Sequence, residues 1–136
     1  MSDPETAADA WQMALDFLRE AEAGSPEATP RMVLHAAYYA MYHAARAVLI
    51  QAHGRQAPLK HSVVVGWFGR LAKDAGNADL MSAGRLINEM QEERLLSDYR
   101  AGRRPPPTDA EAAVRDARQF VEICAVHYSF LSPEAR

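Results

Sequence analysis

Apolar residues recur every three or four positions along most of the chain, which is the spacing of an amphipathic helix. Segments rich in Gly and Pro interrupt this pattern, and no stretch alternates polar and apolar residues between hairpin turns as a strand would. The pattern predicts five helices, near residues 4–23, 30–53, 61–74, 79–98 and 108–131. Because helices bury their apolar stripes against one another, the predicted fold is all-α, an antiparallel up-and-down bundle of four to five helices.

The clearest apolar stripes lie in the first and last predicted helices. The stripe of the first contains Ala8, Trp11, Leu15 and Leu18. The stripe of the last contains Ala110, Val114, Ala117, Val121, Cys124, Tyr128 and Leu131. A chain of 136 residues is long enough to bury a core and short enough for one domain. We therefore expect a single domain over 1–136, with an N-terminal helix and linker at 1–29 and a bundle core at 30–131.

Capping sequences indicate where several helices begin. "SDPE" at Ser2–Glu5 and "TDAE" at Thr108–Glu111 fit the capping box, in which a hydroxyl and a carboxylate satisfy backbone N–H groups. Thr29 followed by Pro30 predicts an N-cap and the first residue of the second helix.

The second helix is unusual because its polar side carries His, Tyr and Arg in place of Lys and Glu. At about 100° per residue, one side holds small and apolar residues, namely Val33, Ala37, Ala40, Met41, Ala44 and Val48. The opposite side holds His35, Tyr39, Tyr42, His43, Arg46, Ile50 and His53. Burying these groups against hydrocarbon would leave donors unsatisfied at about 1–3 kcal/mol each. We expect this side to face a groove, a second subunit or polar side chains of another helix; a solvated face with incidental aromatic residues is the alternative.

Composition and charge narrow the classes of function. No apolar run reaches the roughly 18 residues of a membrane span, and the acidic N-terminus does not resemble a secretory signal. We therefore expect a cytoplasmic protein without membrane association. Cys124 is the only cysteine, and its apolar neighbours favour a buried small residue over a catalytic thiol. The net charge of −3 gives no general attraction to nucleic acid, and we interpret the cluster of Arg100, Arg103 and Arg104 as a solvated charge run.

Metal and cofactor motifs do not stand out in the sequence. His35 and His43 are eight positions apart, too far for one ion without help, and no His/Glu pair at ligand spacing completes a site. No glycine-rich loop of the phosphate-binding or dinucleotide-binding type occurs. We therefore expect neither a metal nor a cofactor.

Four segments in a consistent order resemble one family. "AYYAMYHAARAVL", "KHSVVVGWFGRLAK", "ERLLSDY" and "DAEAAVRDARQFVEI" are similar to segments of the small bacterial and archaeal HEPN-domain proteins, over roughly 30–130. The resemblance implies a compact antiparallel helical bundle that commonly forms homodimers, with two active-site segments in one cleft. Many such proteins are metal-independent ribonucleases, and many are encoded beside a minimal nucleotidyltransferase as toxin–antitoxin pairs.

The nuclease motif of that family is incomplete here. Nuclease members carry Arg, four to six residues and then His near the end of the third bundle helix; Arg94 matches the Arg, but the residues up to Ala101 contain no His. Tyr99 stands at the four-residue spacing, and a phenol that titrates near 10 is a poor general acid or base at neutral pH. Arg46 and His53 share the spacing but lie in the second helix, so we do not transfer the nuclease role to them.

The leading hypothesis is a non-catalytic or nucleotide/RNA-binding HEPN-like component of a toxin–antitoxin-type or nucleotidyltransferase-associated system. It is expected to be a homodimer, to have a nucleotidyltransferase-like antitoxin as partner, and to bind nucleotide or RNA through Tyr39, His43, Arg46, Lys60 and His61. The first alternative is a metal-independent ribonuclease toxin in which Arg94 acts with Asp98, Tyr99 or a histidine from another helix, such as His43 or His61. The second alternative is a dimeric scaffold protein.

Overall fold

The structure is a computed structural model that describes residues 4–99 and 104–135, with the backbone alone for 92–99 and 135. It contains five α-helices: α1 (Ala7–Ala23), α2 (Pro30–His53), α3 (His61–Ala75), α4 (Ala78–Tyr99) and α5 (Pro107–Tyr128). Two short 3-10 turns follow α2 and α5, at Gly54–Gln56 and Pro133–Ala135. No strand occurs in these described ranges, and the predicted all-α bundle is confirmed.

Helix α2 is the centre of the bundle and packs against each of the other four helices. All six residues predicted for its apolar side are buried, and Ala37, Ala40 and Ala44 are completely so. These alanines let the neighbouring helix backbones approach closely, because a methyl group fills little space between two helices. Phe68 of α3 and Phe120 of α5 fill the core beyond them, with ring centroids 5.0 Å apart.

The capping box of α1 lies four residues later than predicted. Thr6 is the N-cap: its Oγ1 accepts from the Asp9 N–H at 3.0 Å, and the Thr6 N–H donates to Asp9 Oδ2 at 3.4 Å. The predicted box at "SDPE" is therefore wrong; Ser2 lies outside the described residues, and Glu5 makes a different contact described below. The sequence contains two consecutive capping-box sequences, Ser2–Glu5 and Thr6–Asp9, and the one adjoining the apolar stripe is used.

The capping box predicted for α5 is also wrong. This helix begins at Pro107 with Pro106 as its N-cap, and the cap makes no side-chain hydrogen bond. Proline at the first helical position lacks the N–H that a capping side chain would satisfy, and its φ is already helical. Thr108 consequently lies within the first turn. For α2, the predicted N-cap Thr29 and first helical residue Pro30 are both correct. The Thr29 side chain makes no capping hydrogen bond, because its Oγ1 donates to the Ser25 carbonyl at 3.2 Å.

The last helix ends at Tyr128, three residues before the predicted end. Ser129 adopts a left-handed conformation with φ of 60°, and the Phe130 N–H donates to the Ala125 carbonyl at 3.0 Å, which terminates the helix. The chain then folds back onto α1: Phe130 stacks on Trp11 at 4.5 Å, and Trp11 Nε1 donates to the Leu131 carbonyl at 2.8 Å. Leu131 is 52% exposed, so its predicted place in the apolar stripe is wrong.

The predicted stripe of α1 also needs one correction. Ala8 is exposed, whereas Trp11, Leu15 and Leu18 are buried as predicted and Ala10 joins them.

Candidate functional site

Rings from α1, α2 and α3 meet on one surface of the bundle. We define the aromatic cluster as Phe17 of α1, His61 of α3, and Tyr38, Tyr39, Tyr42 and His43 of α2. The four α2 residues lie on neighbouring parts of the helix surface because 38/42 and 39/43 are four positions apart and 39/42 are three apart. The cluster brings together three of the predicted binding residues, Tyr39, His43 and His61.

His61, the first residue of α3, is held between tyrosines of α2. The Tyr42 ring stacks on its imidazole with centroids 4.1 Å apart and planes 16° apart. The Tyr38 hydroxyl lies 3.0 Å from His61 Nδ1. The Tyr39 ring is nearly perpendicular to the imidazole, with ring centroids 5.7 Å apart and planes 86° apart. These contacts fix the orientation of the imidazole. Tyr38 was not predicted to belong to any site, although its position four residues before Tyr42 places both on one face.

Helix α2 also anchors the loop that leads into α3. The Tyr42 hydroxyl donates to the Leu59 carbonyl, and Arg46 Nη1 donates to the Pro58 carbonyl at 2.6 Å. Arg46 is only 6% exposed, and its Nη2 forms an ion pair with Glu5, immediately before α1. Buried donors need such partners. The expectation that this side of the helix meets hydrogen-bonding groups is therefore confirmed for Tyr42 and Arg46.

The two other basic residues near the cluster are arranged differently. Lys60 is exposed at the N-cap of α3, beside His61, and its carbonyl accepts from Val64 N–H at 2.9 Å. His53 is exposed and meets the edge of Trp67 at 5.3 Å, outside the aromatic cluster. Arg46 and His53 thus have separate partners, Glu5 and Trp67.

His43 has the most distinctive electrostatic setting in the cluster. Its ring is parallel to Phe17 at 5.4 Å and meets the edge of Tyr42 at 5.0 Å. Burial lowers the pKa of His43 below 6.5; Glu5 opposes this, while Arg46 and His61 add to it. Nδ1 is buried and has no hydrogen-bond partner among the described residues. His43 is therefore a neutral imidazole at pH 7 with an unused polar atom, a state suited to hydrogen bonding or proton transfer.

Tyr42 is held in its protonated form. Burial raises the pKa of Tyr42, and the charge of Arg46 opposes this only in part. The phenol is therefore a donor to the Leu59 carbonyl at neutral pH and fixes the edge of the cluster. Glu5, which influences both Tyr42 and His43, was not predicted as part of any site, because its sequence position suggested a helix cap.

The predicted catalytic residues Arg94, Asp98 and Tyr99 fall in the last turns of α4, where the side chains lie outside the described part of the structure. The chain that follows is tied to the turn between α1 and α2, because Arg104 Nη2 donates to the carbonyls of Glu27 and Ala28 at 2.6 and 2.8 Å. Arg104, predicted to belong to a solvated charge run, is exposed but makes these structural contacts.

The described residues contain neither a metal-binding group nor a membrane-spanning helix. In that part of the chain, no group of three or more His, Cys, Asp or Glu side chains is arranged to hold a metal ion. None of its helices combines the length and the apolar character that crossing a bilayer demands.

The HEPN domain model matches residues 7–127, so this chain belongs to the HEPN domain family. A relative from Methanocaldococcus jannaschii named "Putative toxin MJ0605" is 31% identical over 86 residues, which cover 63% of this chain and 61% of the relative. This chain thus matches less than two thirds of that relative's length. No solved structure shows a significant match to the chain.

Proposed function

We propose that this HEPN domain is a non-catalytic, nucleotide- or RNA-binding component of a toxin–antitoxin-type or nucleotidyltransferase-associated system. The proposal is carried by His43, a neutral and partly buried imidazole whose Nδ1 has no partner among the described residues. It lies among rings that resemble the stacking surfaces on which proteins bind unpaired bases. Toxin-like function is supported by the archaeal relative, whose name is "Putative toxin MJ0605".

A binding role is favoured over catalysis because the nuclease motif lacks its histidine after Arg94. Phosphate recognition does not require that histidine, since a guanidinium alone can make two parallel contacts with a phosphate. In the aromatic cluster, His61 is fixed by Tyr38 and Tyr42, which leaves His43 as the imidazole with an unused nitrogen.

Isothermal titration with mononucleotides and a short single-stranded RNA tests the binding role. We expect wild-type protein to bind, and His43→Ala and Tyr39→Ala to weaken binding at least tenfold, about 1.4 kcal/mol. His53→Ala is the matched control, because His53 is exposed on the same helix outside the cluster. Absence of binding by the wild-type protein, or equal weakening by His53→Ala, would contradict the proposal.

The partner part of the proposal is a homodimer that associates with a nucleotidyltransferase-like antitoxin. Co-purification of the chain with the product of a neighbouring nucleotidyltransferase gene, followed by measurement of the complex mass, tests it. A stable complex supports the paired system. If Tyr39→Ala shifts only the monomer–dimer equilibrium and neither ligand nor partner binds, the chain is a dimeric scaffold.

The rival function is a metal-independent ribonuclease, and the toxin name of the relative favours testing it. Purified protein would then degrade RNA in the presence of a metal chelator. Arg94→Ala would abolish this activity while leaving the helical circular-dichroism signal unchanged. Arg104→Ala is the control, because Arg104 contacts backbone carbonyls of the α1–α2 turn.

A further inference from the structure

A cavity of about 540 Å³ opens between α1 and α2 beside the aromatic cluster. Phe17 and Tyr39 form its aromatic wall, with ring centroids 5.5 Å apart, and Ala36 also lines it. Met32, 69% exposed, lies at its mouth. Small-molecule sites typically enclose about 300–1,000 Å³ and are lined mainly by apolar and aromatic groups with a few polar ones. The cavity fits that description in both size and lining.

The end of the cavity is shaped by the turn after α1. A Cβ atom at Gly24 would lie 2.7 Å from Val33 Cγ2, so only glycine lets this turn close against α2. The turn is fixed from outside by Arg104, which donates to the carbonyls of Glu27 and Ala28. The cavity therefore has a formed end wall and is not only a gap between two helices.

Phe17 connects the cavity to the proposed binding residue. One face of its ring is parallel to His43 at 5.4 Å, and the same side chain lines the cavity. A planar ligand in the cavity would lie one ring away from the imidazole. Tyr39 is likewise shared by the cluster and the cavity. The two features form one continuous surface along the α1–α2 seam.

Glu20 gives the cavity its chemical preference. It is exposed at the edge and is the only carboxylate among the described residues that line the cavity. A carboxylate accepts hydrogen bonds and donates none at neutral pH. It favours a base edge that presents N–H groups and disfavours one that presents carbonyl oxygens. Guanine offers two adjacent N–H donors to one carboxylate, adenine and cytosine offer an amino group, and uracil has carbonyls on both sides of its single N–H.

We propose that the α1–α2 cavity is a base-binding pocket that takes a guanine nucleoside or nucleotide, with the base against the wall formed by Phe17 and Tyr39 and its N–H edge on Glu20. This proposal rests on the proposed nucleotide-binding function and specifies the ligand of that surface. Adenine and cytosine nucleotides bind less tightly, and uracil nucleotides bind least.

Isothermal titration of the full chain with GMP, AMP, CMP and UMP tests the pocket. The expected order of affinity is GMP first and UMP last. Glu20→Gln should weaken GMP binding about tenfold, as expected for loss of a charged hydrogen bond, and change UMP binding by less than about twofold. Ala36→Leu should weaken GMP binding about tenfold because the larger side chain narrows the cavity. Ala52→Leu, on an exposed position of the same helix, should have no effect.

Equal affinities for the four nucleotides, or unchanged GMP binding in both Glu20→Gln and Ala36→Leu, would overturn the pocket. Its failure is distinguishable from failure of the proposed function. If His43→Ala weakens nucleotide binding while Glu20→Gln and Ala36→Leu do not, the binding function stands and the pocket is wrong. If wild-type protein binds none of the four nucleotides and no RNA, both are wrong.

Discussion

Cys124 lies near the C-terminal end of α5 and has no exposed surface. Burial raises the pKa of its thiol, because the thiolate would lose its hydration in the core. Since the thiolate is the reactive form, we expect the native protein to resist alkylation. A maleimide reagent at neutral pH should label the protein only after addition of guanidinium chloride. Rapid labelling of the native protein, at the rate seen in denaturant, would contradict this placement. Cys124→Ala, which removes the only cysteine, provides the unlabelled reference.

Individual residues differ in how far their roles can be predicted from sequence. The apolar neighbours of Cys124 on a helix suffice to predict its burial. Tyr38 and Glu5 show the opposite case, since their roles depend on groups distant in the chain. Tyr38 is completely buried and its hydroxyl approaches His61, 23 positions later, while Glu5 pairs with Arg46, 41 positions later. Helix periodicity contains no information about such partners.

At the scale of secondary structure, the start of α1 depends on one capping residue. Thr6→Ala should destabilise the protein by about 1 kcal/mol, because it removes the acceptor for the Asp9 N–H. Thr108→Ala is the matched control: Thr108 is exposed, follows the first residue of α5, and the cap of that helix makes no side-chain hydrogen bond. Urea denaturation of both variants measures the difference. If both lose the same stability, the assignment of these helix starts is wrong.

A second prediction concerns the contact between α1, α5 and the C-terminal turn. Arg118 contacts Glu22 of α1 through two nitrogens, at 2.6 and 3.1 Å, contacts Glu122 at 2.9 Å, and pairs with Glu134. Isolated surface pairs contribute little, but bidentate geometry and several partners raise the effect, so Arg118→Ala should cost about 1 kcal/mol. The loss should shrink in high salt, which screens exposed charges.

Thermal denaturation at low and high salt measures the effect of Arg118. Arg115→Ala, at an exposed position three residues earlier on α5, provides the control for loss of one positive charge. If Arg115→Ala destabilises the protein as much as Arg118→Ala, net charge and not the contact with α1 is responsible.

The helices themselves were predictable because the apolar spacing persists over many residues, and Gly and Pro mark the breaks. The ends of the helices were harder to predict. Ser129 terminates α5 through a left-handed backbone conformation that serine adopts less readily than glycine. No glycine therefore marks the end of the helix before Leu131. The two predicted capping boxes were wrong because sequences that match the motif occur by chance near helix starts. The hydrogen bonds of a real box depend on which residue adopts the non-helical conformation of the N-cap.

For the whole molecule, the binding surface arises where three helices meet, and the sequence predicted its residues on α2 and α3 but not its residue on α1. The angular arrangement of α2 identified Tyr39 and His43 as residues on a common side. It did not identify Phe17 as the ring between His43 and the cavity, because the position of α1 relative to α2 depends on packing. Nor did the pattern indicate that Arg46 would form an ion pair with Glu5 and donate a hydrogen bond to the Pro58 carbonyl.

The placement of His43 makes the stability of the whole bundle depend on pH. Burial lowers its pKa in the folded protein below 6.5, Arg46 and His61 act in the same direction, and Glu5 acts against them. The unfolded chain therefore binds the proton more readily than the folded one. The stabilising contribution of neutral His43 is complete above about pH 6.5 and is lost as the pH falls through the folded pKa. The free energy of unfolding should accordingly decrease between about pH 7.5 and about pH 5.5.

Chemical denaturation of wild type, His43→Gln and His53→Gln across that range isolates the contribution of His43. Glutamine retains a polar side chain of moderate size but does not titrate, so His43→Gln should show a smaller decrease in stability on acidification than wild type. His53→Gln should keep the wild-type slope, because His53 is exposed and lies outside the aromatic cluster. The comparison uses slopes and not absolute stabilities, so a uniform loss of packing at position 43 does not affect it. Equal slopes for wild type and His43→Gln would mean that the imidazole is no less easily protonated in the folded chain than in the unfolded one.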